Sequence, residues 1–228
     1  MNATSLLSRS LALFFCVLAG QSAARTEIVY DNTATPTGNG FHPSNLEYGD
    51  EIQLQPGLAR LVTDFYLEYF GEFIAQGDER VRIRFYANNG PDVEPGPKTI
   101  LAPKDLLYES AEIKITPGFH QIPLTGLAVE EVPDTLTWTV KFSGLSGAVG
   151  DRAGLLLYNP PTVGKSFNDF WQLADSTWTT HQIDGGAVIA NFGARVVAIV
   201  PEPGVVALSA VGGLLWLGIA RLRRSLAS

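Results

Sequence analysis

From Arg80 to Ala87 the chain alternates residue by residue. Val81, Ile83 and Phe85 fall on one side of an extended backbone, and Arg80, Arg82 and Arg84 fall on the other. A period of two is the signature of a β-strand, and here it also specifies the register. A slip of one residue would turn three guanidinium groups into the core, each at several kcal/mol. The same pattern recurs on either side. Leu136, Trp138, Val140 and Phe142 share a face opposite Thr137, Thr139 and Lys141. Between Arg60 and Phe70, Phe65, Leu67 and Tyr69 oppose Asp64, Tyr66 and Glu68.

Shorter β-type runs occur at 27–30, 52–54, 106–109, 112–115, 120–124, 154–158, 177–183 and 187–199, which brings the expected total to about ten or eleven strands. Turn signals separate them, among them Asn88-Asn89-Gly90-Pro91, Thr116-Pro117-Gly118, Asn159-Pro160-Pro161 and Asp184-Gly185-Gly186. The stretch from Asn88 to Lys104 reads as one long loop rather than a domain linker. No segment between the two ends has helical periodicity. The expectation is an all-β fold, a single jelly-roll-like β-sandwich over residues 25–199. About 175 residues bury roughly 70% of their unfolded surface and fold without staples.

Composition narrows the function classes. Charged residues are 17% and hydrophobic ones 46%, which excludes charge-driven disorder and a coiled coil. The net charge of −7 becomes −10 between the ends, because Arg9, Arg221, Arg223, Arg224 and a single acid, Glu202, lie in the end segments. So acidic a middle argues against nucleic acid as a partner. The one cysteine, Cys16, sits in the first apolar run, leaving the rest without thiol or disulfide chemistry.

Both ends read as addresses. Arg9 precedes an apolar run from Leu11 to Leu18, too short to span a bilayer, and Ser22-Ala23-Ala24 comes next. Residues 1–24 are expected to be a signal peptide, cut by signal peptidase after Ala24. At the other end, residues 200–228 carry Pro201-Glu202-Pro203, an uncharged run from Val205 to Ala220, and a basic cluster of Arg221, Arg223 and Arg224. A helix over 205–220 spans about 24 Å, and flanking arginines can snorkel to cover a core of about 30 Å. The basic cluster should stay cytoplasmic, with the domain outside.

This ordered tail resembles the PEP-CTERM sorting domain. The resemblance implies a Gram-negative bacterium and an exosortase as partner, with Pro201, Glu202 and Pro203 as the recognition residues. It also implies a precursor held in the inner membrane and a mature form at the cell surface or in the extracellular matrix. The middle is similar to the domain that often precedes such tails, through Ile28-Val29-Tyr30-Asp31-Asn32, Thr137-Trp138-Thr139-Val140 and Gly154-Leu155-Leu156-Leu157-Tyr158-Asn159. That likeness implies a location and no reaction.

Catalytic signals are sparse. His42, His120 and His181 lie in no nucleophile–base setting, and Ser143-Gly144-Leu145-Ser146-Gly147 reads as a turn. There is no H-x-x-x-H or C-x-x-C, so no metal site and no cofactor are expected. Paired carboxylates meet only in space, and with 22 of 23 acids in the middle their proximity is uninformative. For calcium, the candidates are Glu47, Asp50 and Glu51 near a turn and Asp31 at a strand end; a solvated acidic loop is the preferred reading.

The aromatic residues carry the ligand hypothesis. Trp138 shares a core face, whereas Trp171, in an expected loop, and Trp178, beside Ser176, Thr180 and Gln182, are the candidates for stacking on sugar rings. The arginine stripe is expected to pair with Asp64 and Glu68 across a hairpin. The first reading is therefore an exported, non-enzymatic surface or matrix protein. The alternatives are a carbohydrate-binding module associated with exopolysaccharide and a secreted hydrolase.

Overall fold

The computed structural model describes residues 24–57, 60–93, 100–146 and 150–201. Thr26 to Ile199 form one unit. Its elements are strands: β1 (Ala24–Asp31), β2 (Pro36–Phe41), β3 (Glu47–Gln53), β4 (Leu61–Glu72), β5 (Arg80–Ala87), β6 (Asp105–Glu109), β7 (Ile113–Lys114), β8 (Gly118–Val129), β9 (Thr135–Ser143), β10 (Arg152–Tyr158), β11 (Lys165–Ser166), β12 (Phe170–Ala174), β13 (Thr177–His181) and β14 (Ala194–Pro201). A 3₁₀ turn at Asp184–Gly186 precedes β14. Among the described residues no helix is long and apolar enough to cross a membrane. The expected signal peptide, the helix over 205–220 and the residues Glu202, Pro203, Arg221, Arg223 and Arg224 lie outside the described residues.

The strands form two antiparallel sheets, consistent with a β-sandwich. The first has the order β1-β14-β4-β10-β2, with β8 also on β4. Long β4 organises it. β8 pairs one edge of β4 from Val62 to Gly71. The opposite edge is shared, by β14 along Leu61–Leu67 and by β10 along Tyr69–Glu72. The second sheet has the order β13-β12-β3-β9-β5-β6, with β11 on β3 and β7 on β5.

The alternation that marks β5 and β9 places its apolar side inward. Val81, Ile83, Trp138 and Val140 are fully buried, and Phe85 and Leu136 nearly so. From the first sheet, Phe65 reaches across, its ring centroid 4.8 Å from Phe85 and 5.2 Å from Trp138, both edge-on. Phe192 meets Trp138 at 6.3 Å from another side. Edge-to-face geometry puts positive ring edges on negative ring faces and adds to simple area burial.

The expected pairing of the arginine stripe with Asp64 and Glu68 is wrong. β4 and β5 lie in different sheets, because the segment between them crosses over instead of turning back. Gly77 takes φ +99° there, and the Glu79 carboxylate accepts hydrogen bonds from the backbone N–H of Gln76 and Gly77. Acids elsewhere take two of its three arginines, while Arg80 donates to the carbonyls of Gly77 and Glu79, both at 2.9 Å. Arg82 pairs with Glu109 and Glu112 at 3.3 and 3.2 Å, and Arg84 pairs with Glu109 and Glu47.

Three strands escape the sequence reading: β2, the two-residue β11, and β12. β12 and β13 close a two-residue hairpin in which Asp175 and Ser176 have φ +48° and +64°, the left-handed pair that a type I′ turn needs. In β3, Gly49 is required by close approach, since a Cβ there would lie 1.9 Å from the Trp138 carbonyl oxygen.

The cross-sheet aromatic contact generates a prediction. Phe65→Ala should cost about 3–5 kcal/mol of stability in chemical denaturation, while Lys141→Ala on the exposed face should stay within about 0.5 kcal/mol. Equal effects of the two would contradict the packing described.

Candidate functional site

The sequence-predicted tryptophans sit on the outer face of the second sheet. Register makes this explicit. Trp171 lies opposite Gly49, Gly49 opposite Thr139, and Thr139 opposite Arg84. Flat strand spacing of about 4.8 Å would hold β13 and β5 roughly 19 Å apart. Yet Trp178 on β13 and Tyr86 on β5 meet edge-on, their centroids 5.3 Å apart. The sheet is therefore curled, and its outer face is concave and partly filled. Thr137 and Thr139 point into that concavity and are fully buried.

This curl corrects the expected two-tryptophan platform. Trp171 is in a strand rather than a loop, is 1% exposed, and donates its indole N–H to Glu51 at 3.2 Å. Its ring faces are covered by protein. Trp178 is half-buried against Tyr86 and keeps some surface.

A buried carboxylate organises the concavity. Glu47, 5% exposed, accepts hydrogen bonds from the Thr139 hydroxyl at 2.7 Å and the Tyr86 hydroxyl at 2.9 Å. Its other oxygen takes Arg84, which also reaches Glu109. Burial, followed by the Glu47 charge, pushes the Tyr86 phenol far above its ordinary value. Burial is opposed by these carboxylates at Arg84, whose pKa rises on balance. This network ties β3, β5, β6 and β9 together.

The acids considered for calcium are dispersed, and they are not a solvated loop. Glu47 and Asp50 are buried within β3. Asp31 pairs with Arg195 at 3.1 Å and caps Thr33. Among the described residues no three His, Cys, Asp or Glu side chains converge as a metal group.

An open groove lies elsewhere, between the β8 edge of the first sheet and the β6–β7 edge of the second, with a volume of about 570 Å³. Tyr69, Tyr108 and His120 supply its rings, and Lys114, Thr116, Gln121 and Thr125 its polar groups. The Tyr69 hydroxyl accepts from the Thr116 N–H at 3.0 Å and donates to its carbonyl at 3.1 Å, which pins the rim. His120 lies 5.5 Å from the Tyr69 ring, and its Nε2 is 2.8 Å from the Pro117 carbonyl. A carbonyl only accepts, so that nitrogen carries the proton. Burial raises the Tyr108 phenol. Tyr69 is buried and serves as support, whereas the half-buried Tyr108 ring and the exposed His120 ring, beside amide and hydroxyl groups, suit a polyhydroxylated ligand. Sequence reading missed this groove, because its residues come from four separated strands and none carries a motif. The other two histidines are elsewhere: His181 stacks on Phe170 at 5.5 Å, and burial, with Arg152 nearby, lowers the pKa of His42.

The chain matches no family model, no curated protein and no solved structure.

The Glu47 network predicts that Glu47→Gln costs about 1–3 kcal/mol, because Arg84 loses its charged partner while the shape is kept. Trp178→Ala should cost only about 0.5–1.5 kcal/mol beyond its lost burial, the worth of one edge-on ring pair. Thermal denaturation of both variants checks the order.

Proposed function

We propose that this chain is an exported, non-enzymatic surface or extracellular-matrix protein, sorted through its C-terminal tail by an exosortase. Residues 25–199 form its jelly-roll-like sandwich. The carrying observation is the order of features at the end of the sequence: Pro201-Glu202-Pro203, then an uncharged run to Ala220, then Arg221, Arg223 and Arg224. The signal-peptide-like start and the acidic middle support the same reading, as does β14, which runs to Pro201 so that the motif begins where the strand ends. Prolines at 201 and 203 keep the backbone extended and accessible to a membrane protease. On this reading signal peptidase removes 1–24, the 205–220 helix holds the precursor in the inner membrane, and cleavage near Pro201-Glu202-Pro203 discards the basic end.

Mass spectrometry of the surface-released protein, from a host carrying an exosortase, should find no peptide beyond about Gly204. An intact Arg221–Ser228 end on the mature protein would make the tail a permanent anchor.

The groove favours a second function for the same domain, retention of exopolysaccharide. The observation is the grouping of Tyr108, Tyr69 and His120 with Gln121 and Thr125. One stacking ring worth about 1.4 kcal/mol is tenfold in affinity. Tyr108→Ala should therefore weaken polysaccharide retention about tenfold in an affinity gel, with Trp178→Ala near wild type. The reverse ranking would move the site to the concave face.

A further inference from the structure

Positive charges of this acidic domain are gathered on one patch. Partners in an antiparallel ladder carry their side chains on the same face of the sheet. Lys114 of β7 is the partner of Arg80, and Lys141 of β9 is the partner of Arg82. Val81 and Ile83 beside them point into the core, so the four cations stand on the outer face of the second sheet. Neighbours across the ladder are about 5 Å apart, and two residues along a strand cover about 7 Å.

This row is short of acids. Arg82 is matched by Glu109 and Glu112. Arg80 gives its hydrogens to the carbonyls of Gly77 and Glu79. Among the described residues no ion pair takes Arg80, Lys114 or Lys141. Glu79 senses the Lys114 charge, but its carboxylate is held by the backbone N–H groups of Gln76 and Gly77. Like charges directly opposite each other destabilise a ladder. Lys114 against Arg80 and Lys141 against Arg82 are two such pairs, and both lysines are exposed.

The patch runs into the groove. Lys114 lines the groove together with Tyr108 and His120, and among the described residues that line it there is no Asp or Glu. Toward the other end of β5 the outer face is closed, by Trp178 against Tyr86 and by the Glu47 network. The open part of this face is therefore its basic part.

We propose that the polysaccharide held in the groove is an acidic one, a chain of uronate-type sugars whose carboxylates lie along Lys114, Arg80 and Lys141. This rests on the reading of the groove as a polysaccharide site and adds the charge class of its ligand. Tyr108 and His120 take the faces of the sugar rings, and the cations take the carboxylates that repeat along the chain. Each exposed charge contact is weak and screened by salt. A polymer engages several at once, so the contacts reinforce one another. A neutral glycan would leave both like-charge pairs uncompensated, and an acidic peptide would leave the rings unused.

The test passes the full-length chain, in detergent, over agarose carrying polygalacturonate, its methyl ester or polyglutamate. Polygalacturonate should retain the chain about fivefold more strongly than the ester, and added salt should erase that difference. Lys114→Gln combined with Lys141→Gln should weaken retention on polygalacturonate about fivefold and bring the two polymers level, with a circular dichroism spectrum that overlays the wild type. Tyr108→Ala should weaken retention on both. If Tyr108→Ala does so while wild type binds ester and acid alike, the groove reading stands and the acidic ligand is overturned. Retention on polyglutamate equal to that on polygalacturonate, with Tyr108→Ala silent, assigns the patch to an acidic protein and overturns the proposal. If neither polygalacturonate nor its ester is retained, the groove reading and the proposal fall together.

Discussion

The two sheets are held in one arrangement by the ring contacts around Trp138. This indole is fully buried, with Phe65 edge-on at 5.2 Å and Phe192 at 6.3 Å. An aromatic side chain of this kind removes about 150–250 Å² of surface from water, and its ring geometry adds orientation. Phe65 belongs to β4, which carries β8, β14 and β10 on its two edges, while Trp138 belongs to β9 between β3 and β5. One contact thus joins the organising strands of both layers. The groove and the concave face both inherit their geometry from that alignment.

The features legible in the sequence are those that depend on one strand at a time. β5 and β9 declare their inner faces because apolar and polar residues alternate, and the seven residues assigned inward are buried. Pairing is a different kind of information. The arginine stripe needs acids, and the sequence offers many, but nothing local says that the chain from Phe73 to Glu79 crosses between sheets. β2 is invisible because Pro36, Gly38 and Gly40 have low strand propensity and it lies on a sheet edge, where exposure removes the alternation.

β12 escapes for the opposite reason. Trp171 points away from the core and is still covered, because the curl of the sheet supplies a second buried surface. Sequence alternation reports inside and outside only for a sheet with one wet face. Glu47 and Asp50 mislead in the same way. Acids beside a Gly suggest a solvated turn, yet both lie on β3, which is covered on either side. Their surroundings then diverge. Glu47 gathers Arg84 and two hydroxyls, whereas Asp50 has no cation, only the Ser166 hydroxyl and the Phe192 N–H on one oxygen, and burial pushes its carboxyl well above the usual range.

The place of β14 has a mechanical meaning. It is flanked by β1 on one edge and β4 on the other, with its β4 ladder running from Ala194–Leu67 to Ile199–Leu61. A pull applied at Pro201 along the strand loads those hydrogen bonds in shear, so many must fail together. A strand at the rim of a sheet, peeled from one end, would release them one after another at low force. The last strand is therefore seated where a load entering through Pro201 is shared across neighbours on both sides.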